Sequence, residues 1–191
     1  MATAALMEVE AIRLPDLFEV IHGEIVEVHA SYLAIEIANS LHHSVSGYLI
    51  ERDIGRSRIE QMYHIPVPRD ALRLRRPAVA FVSYKRLPKM RKIPRHAYAM
   101  DGVVPELAVE IVSPADPACD LQGKVMEYLN AGVKLVWVIY PEICQVHAYT
   151  SPTSIRICGA TGDLDGGDVL PGFAARVAEL FPKTDDDSAG D

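Results

Sequence analysis

A chain of 191 residues, nearly half of them hydrophobic, is long enough for one domain with a sizeable core and short for two. Its formal charge of −7 argues against a general affinity for polyanions, and its three cysteines lack metal spacing, which excludes a structural zinc framework and fits a reducing cytosol. No apolar run nears the length of a membrane span, and the start has acids where a signal peptide needs a basic region, so a cytoplasmic chain without membrane contact is expected.

In chain order, residues 1–15 read as an N-terminal extension, with 1–10 loose or a short amphipathic helix. Asp16, Leu17 and Phe18 begin a turn of helix. Gly23 then leads into a strand over 24–29, which carries Glu24 and Glu27 among Ile25, Val26 and Val28. Ser31 is placed to cap an amphipathic helix over 31–50, whose apolar residues recur at three- and four-residue intervals. A strand over 57–65 follows, then a Pro-rich turn at 66–70 and a short apolar strand over 77–83.

The charge is unevenly spread. Residues 71–100 hold no acid but nine of the 19 cations, leaving −16 on the rest of the chain. Within them, the loop over 84–96 carries Lys85, Arg86, Lys89, Arg91, Lys92 and Arg95. It is rich in proline and lacks a period, so it reads as mobile, and such asymmetry is a hint of nucleic-acid contact. A solvated loop is the equal alternative.

The most informative stretch is 105–141. An apolar run over 107–112, a helical pattern holding Lys124 and Tyr128, a stop at Ala131-Gly132 and a second apolar run over 134–140 make a strand–helix–strand unit, which favours a parallel pair at the centre of a sheet. Alternation puts Ala108, Glu110 and Val112 on one face and Leu107, Val109 and Ile111 on the other. Burying Glu110 in such a strand requires a cationic partner. Strands over 144–150 and 154–158, a turn-rich link over 159–167 and the segments 169–173 and 177–181 complete a domain over 16–182. Residues 183–191, with their Asp run, read as a disordered acidic tail.

Taken in order, Gly-Glu-Ile-Val-Glu, Arg-Arg-Pro-x-Val-Ala-Phe-Val-Ser, Pro-Glu-Leu-Ala-Val-Glu-Ile-Val-Ser-Pro, Lys-x-x-x-Tyr, Val-Trp-Val and Leu-Pro-Gly-Phe resemble the Uma-type restriction endonuclease family of the PD-(D/E)XK nuclease-like superfamily. The resemblance implies an α/β, restriction-endonuclease-like fold: a mixed sheet flanked by helices, with additional N- and C-terminal strands. It also implies an Mg2+- (or Mn2+-) dependent endonuclease that hydrolyses phosphodiesters in DNA. In such sites an Asp after Pro on one strand and a Glu on the next hold the metal, with a Lys nearby. Glu110 matches the Glu. The usual Lys position is Val112, and Lys124 matches the relocated Lys of the family. An acid of the family falls on Glu24.

The Asp is replaced by Ala78, so the resemblance implies weak or absent metal binding and an impaired or inactive nuclease. Tyr140 and the Gln61-Met62-Tyr63 run also depart from the pattern, which reads as natural divergence; Ala78 alone would equally fit an engineered removal. Glu60, beside the strand of Ala78, offers a replacement metal-binding carboxylate or faces solvent. Glu110 is a metal ligand or a structural acid paired with Lys124, and Lys124 serves the site or snorkels. Tyr128 and Trp137 read as core, and the histidines lack ligand spacing. A catalytically silent DNA- or protein-binding homodimer on the same fold is the alternative.

Overall fold

The computed structural model describes residues 15–92, 95–100, 102–114 and 116–183. The segment expected as a loose or helical start and all of the acidic tail past Lys183 lie outside them. In chain order come β1 (Phe18–Ile21), β2 (Glu24–Glu27), helix α1 (Tyr32–Arg52), β3 (Gly55–Ile59), β4 (Met62–His64), β5 (Leu74–Arg75) and β6 (Val79–Ser83). There follow β7 (Ala99–Met100), β8 (Leu107–Ile111), helix α2 (Ala118–Asn130), β9 (Leu135–Tyr140), β10 (Gln145–Ser151) and β11 (Ser154–Gly159). A hairpin of β12 (Asp163–Asp165) and β13 (Ala174–Arg176) and a 3-10 turn, Val177–Leu180, end the described chain.

Six strands form one mixed sheet in the order β11-β10-β9-β8-β6-β3, and five form a second in the order β2-β1-β5-β4-β7. The expected strand–helix–strand unit is the centre of the six-stranded sheet: β8 and β9 run parallel from Leu107↔Leu135 to Ile111↔Ile139, joined by α2. Gly132 ends α2 at φ +96, a conformation that suits a residue without Cβ, and Val133 N–H closes back on Tyr128 O at 3.0 Å.

The alternation read along β8 sorts the core. Leu107, Val109 and Ile111 pack with Ile37, Leu41 and Val45 of α1 and with Trp137 and Phe173; Ala108 packs with Val125 and Tyr128 of α2 and with Val136 and Val138. Ser31 caps α1 by accepting from Ala34 N–H at 3.1 Å, and the buried stripe is Ala34, Ile37, Ala38, Leu41, Val45 and Leu49. The Leu-Pro-Gly-Phe segment is a turn. It lays Phe173 on Trp137, ring centroids 6.0 Å apart, and offers Pro171 O to Tyr48 Oη at 2.8 Å.

Two expectations along the chain are corrected. Residues 18–21 form a strand, not a helical turn, because Phe18 and Val20 pair with β2 and bury against Met62 and Leu74. The single strand expected over 57–65 is broken in two at Glu60, whose φ of +50 turns β3 away from β4 and into the other sheet.

Candidate functional site

The charged residues gather where the two sheets meet under α2. On α2, Lys124, Glu127 and Tyr128 stand three and four residues apart and therefore share a face. β8 brings Glu110 to that face, and β1 brings Glu19. One step along from the Val20↔Leu74 pair, Glu19 stands across from Arg75 on β5. Glu19 is 2% exposed and Glu110 8%.

Lys124 Nζ lies between the two acids, 3.6 Å from Glu110 Oε2 and 3.5 Å from Glu19 Oε1. Tyr128 Oη donates to Glu110 Oε1 at 2.6 Å. Glu19 is fixed further by Arg75 Nη1 at 2.6 Å and by the backbone N–H of Arg76 at 3.0 Å. Burial pushes the Glu110 carboxyl up, with Lys124 opposing and Glu19 reinforcing the shift. Burial alone would lower Lys124, but Glu110 and Glu19 outweigh it and hold the ammonium above its ordinary range.

Behind this group runs a chain of alternating charges. Glu127 accepts from Arg75 Nε at 2.7 Å and also holds Arg73, which bonds Asp70 at 2.8 Å; Asp70 in turn accepts His22 N–H at 2.7 Å. Every buried guanidinium has a carboxylate, as its desolvation demands. In front, a cleft of about 910 Å³ opens between β2, the β8–α2 connection and α2. Its lining includes Glu19, Glu110, Lys124, Arg75, Ser113 and Ser31.

Ala78 and Glu60 border the group. Ala78 precedes β6, whose pairing with β8 opens at Val79↔Val109, and its carbonyl accepts from Glu60 N–H at 3.1 Å. Ala78 is half-buried, its methyl against the α1-side core. The Glu60 carboxyl is pushed up to about 7, first by burial and then by Glu110 and Glu19, against the pull of Arg76 and Lys124.

Of the expected site residues, then, Glu110, Lys124 and Glu60 lie in one electrostatic neighbourhood. Glu24 does not join them. It starts the edge strand β2, where alternation turns it outwards, and it is exposed. The first-strand acid that reaches the site is Glu19, five residues earlier. Its one signal in the sequence was an acid between Phe18 and Val20, with a run of arginines later in the chain to match it.

The basic loop divides. Arg86 is withdrawn from solvent contact with a partner: its guanidinium donates to Val104 O at 2.8 Å, Pro105 O at 3.0 Å and Gly132 O at 2.9 Å, and stands 3.2 Å from Glu106. It ties the base of the loop to the sheet. Lys89 pairs with Asp53 and lies 4.7 Å over the Tyr84 ring. Lys85, Arg91, Lys92 and Arg95 are exposed. The loop leaves β6 at Ser83, the far end from Ala78, about 17 Å along the strand at the usual rise.

A divalent metal does not fit the group as it stands. Among the described residues no three His, Cys, Asp or Glu side chains converge to hold one. Glu110 has one oxygen on Tyr128 and the other facing an ammonium, while magnesium requires oxygen at about 2.1 Å and several retained waters.

A family model described as "Uma2: Putative restriction endonuclease" matches residues 9–178. The crystal structure of "a putative nuclease belonging to DUF820" from Anabaena variabilis ATCC 29413 shares the fold, with a TM-score of 0.73 over 90% of this chain and 95% of that one, at 17% identity. Among curated proteins none matches. No described helix is long and apolar enough to cross a membrane.

Proposed function

The chain belongs to the Uma2 family, and from that premise we propose that its cleft is a site for phosphodiester hydrolysis in DNA, built on Glu110 and Lys124 and impaired here by Ala78. The observation that carries this reading is the meeting of those two side chains. One comes from the central strand and one from the crossover helix, and they stand 3.6 Å apart on the lining of a cleft. A lysine so placed is suited to a phosphate oxygen or to charge developing on one, since fixed cations in a water-poor site stabilise such charge without reorganising.

In this family a metal supplies the charge that lets water attack a phosphate. The residues present leave it one carboxylate short, since an alanine methyl has no oxygen to give. Cleavage by the unaltered chain is therefore expected to be very weak or nil. What remains is a DNA-binding fold, with exposed Lys85, Lys92 and Arg95 as backbone contacts.

Plasmid nicking in Mg2+ or Mn2+ tests this. The Ala78→Asp variant should nick, the unaltered chain should not, and adding Glu110→Ala should abolish the gain. Strong nicking by the unaltered chain that survives Glu110→Ala would sink the proposal. If neither chain cuts while DNA binding persists, the silent homodimeric binding module takes its place.

A further inference from the structure

We propose that the Lys124 ammonium is the resident cation of this site, occupying the place between Glu110 and Glu19 that a divalent metal would need, so that the cleft excludes Mg2+ and Mn2+ until its charge balance is changed. This deepens the reading of the cleft as the family's hydrolytic site, but its test uses neither DNA nor cleavage, so the two stand or fall separately.

The argument is one of charge and space. The acids Glu19, Glu110, Glu127 and Asp70 face the cations Lys124, Arg75, Arg73 and Arg76, and with Glu60 protonated beside them the group is neutral. A dication added to it would leave a buried charge of +2 with nothing to balance it, which a protein interior resists strongly. Space points the same way. Nζ stands 3.5 and 3.6 Å from the two carboxylates, so an ion about 2 Å from either facing oxygen would press against the ammonium. The lysine is also held there: it is four-fifths buried, and α2 fixes its stem one turn from Tyr128, which grips the same Glu110. Neutralising Lys124 leaves −1, a charge a dication can meet. Ala78→Asp reaches the same −1 by addition but leaves Lys124 in place, so it meets the charge condition alone.

Mn2+ binding, read from the free-ion electron paramagnetic resonance signal at pH 6, where Glu60 keeps its proton, provides the test. The unaltered chain and Lys124→Arg should show no saturable site, while Lys124→Gln should gain one, with at least tenfold tighter binding. Lys124→Gln/Glu19→Gln should lose it again. Equal Mn2+ affinity in the unaltered chain and Lys124→Gln, or no gain in a folded Lys124→Gln, would overturn the proposal. Should Lys124→Gln fail to fold, 15N-lysine spectra of the unaltered chain decide the matter. The Lys124 ammonium signal should stay sharp in Mn2+, and broadening beyond that of exposed lysines would overturn it.

Discussion

Tyr128 Oη donates to Glu110 Oε1 over 2.6 Å, with both side chains closed off from solvent. The tyrosine is a core residue and also the one neutral donor to the site's buried acid. In Tyr128→Phe the ring still fills its place, but a buried carboxylate oxygen loses its partner. The expected cost is about 2 kcal/mol, the usual order for an orphaned buried acceptor, measured by urea unfolding at pH 8. A change under about 0.5 kcal/mol would mean that the bond contributes little.

Glu60 gives the chain a pH dependence. Its carboxyl is pushed from 4.5 to about 7, so between those values the folded chain holds a proton that the unfolded chain has released. Stability therefore falls as pH rises through that window. Glu60→Gln removes this term: it should match the unaltered chain at pH 4.5 and exceed it at pH 8 by about 1 kcal/mol, after discounting for partial exposure. Parallel thermal unfolding curves for both chains across that range would refute the assignment.

Glu127 is the sole carboxylate shared by Arg73 and Arg75, each about 93% shielded from solvent. Glu127→Ala should cost about 3 kcal/mol, because two buried guanidinium groups each lose one of their two carboxylates while keeping Asp70 and Glu19. Glu127→Gln, which keeps acceptor and shape, should cost clearly less. Denaturant midpoints at constant m-value measure both.

The basic loop separates into residues that hold it and residues that face outward. Arg86→Ala should destabilise by about 2 kcal/mol, since three carbonyls lose a donor and Glu106 its cation. Lys85→Ala with Lys92→Ala should leave stability unchanged and flatten the salt dependence of DNA binding by up to about two in slope. An unchanged slope would remove these lysines from any DNA footprint.

How far the sequence could be read depended on the range of the forces involved. The β8–α2–β9 unit was legible because alternation, helical spacing and the Ala131-Gly132 stop are local signals, and each agrees with the packing found. Glu110 was legible as an acid in need of a cation. Glu19 was not, because its burial comes from α2 and β5, which lie 55 or more residues away along the chain. A three-letter context cannot show that both faces of β1 are covered. The inward ties of Arg86 were not legible for a related reason. Composition marks a lysine- and arginine-rich loop as a surface, but carbonyls of residues 104, 105 and 132, brought together only in three dimensions, claim one of its cations.

The ion pairs that present Lys124 and Glu19 to the cleft also join the five-stranded sheet to α2. A chain that had ceased to cut DNA would still be selected against for losing them, because unfolding, not lost turnover, would be the first consequence. Ala78 makes no such tie, and a carboxylate there could vanish without structural penalty. Under the proposed reading, a substitution at position 78 would therefore probe the chemistry alone, whereas one at Lys124 or Glu19 would probe the fold as well.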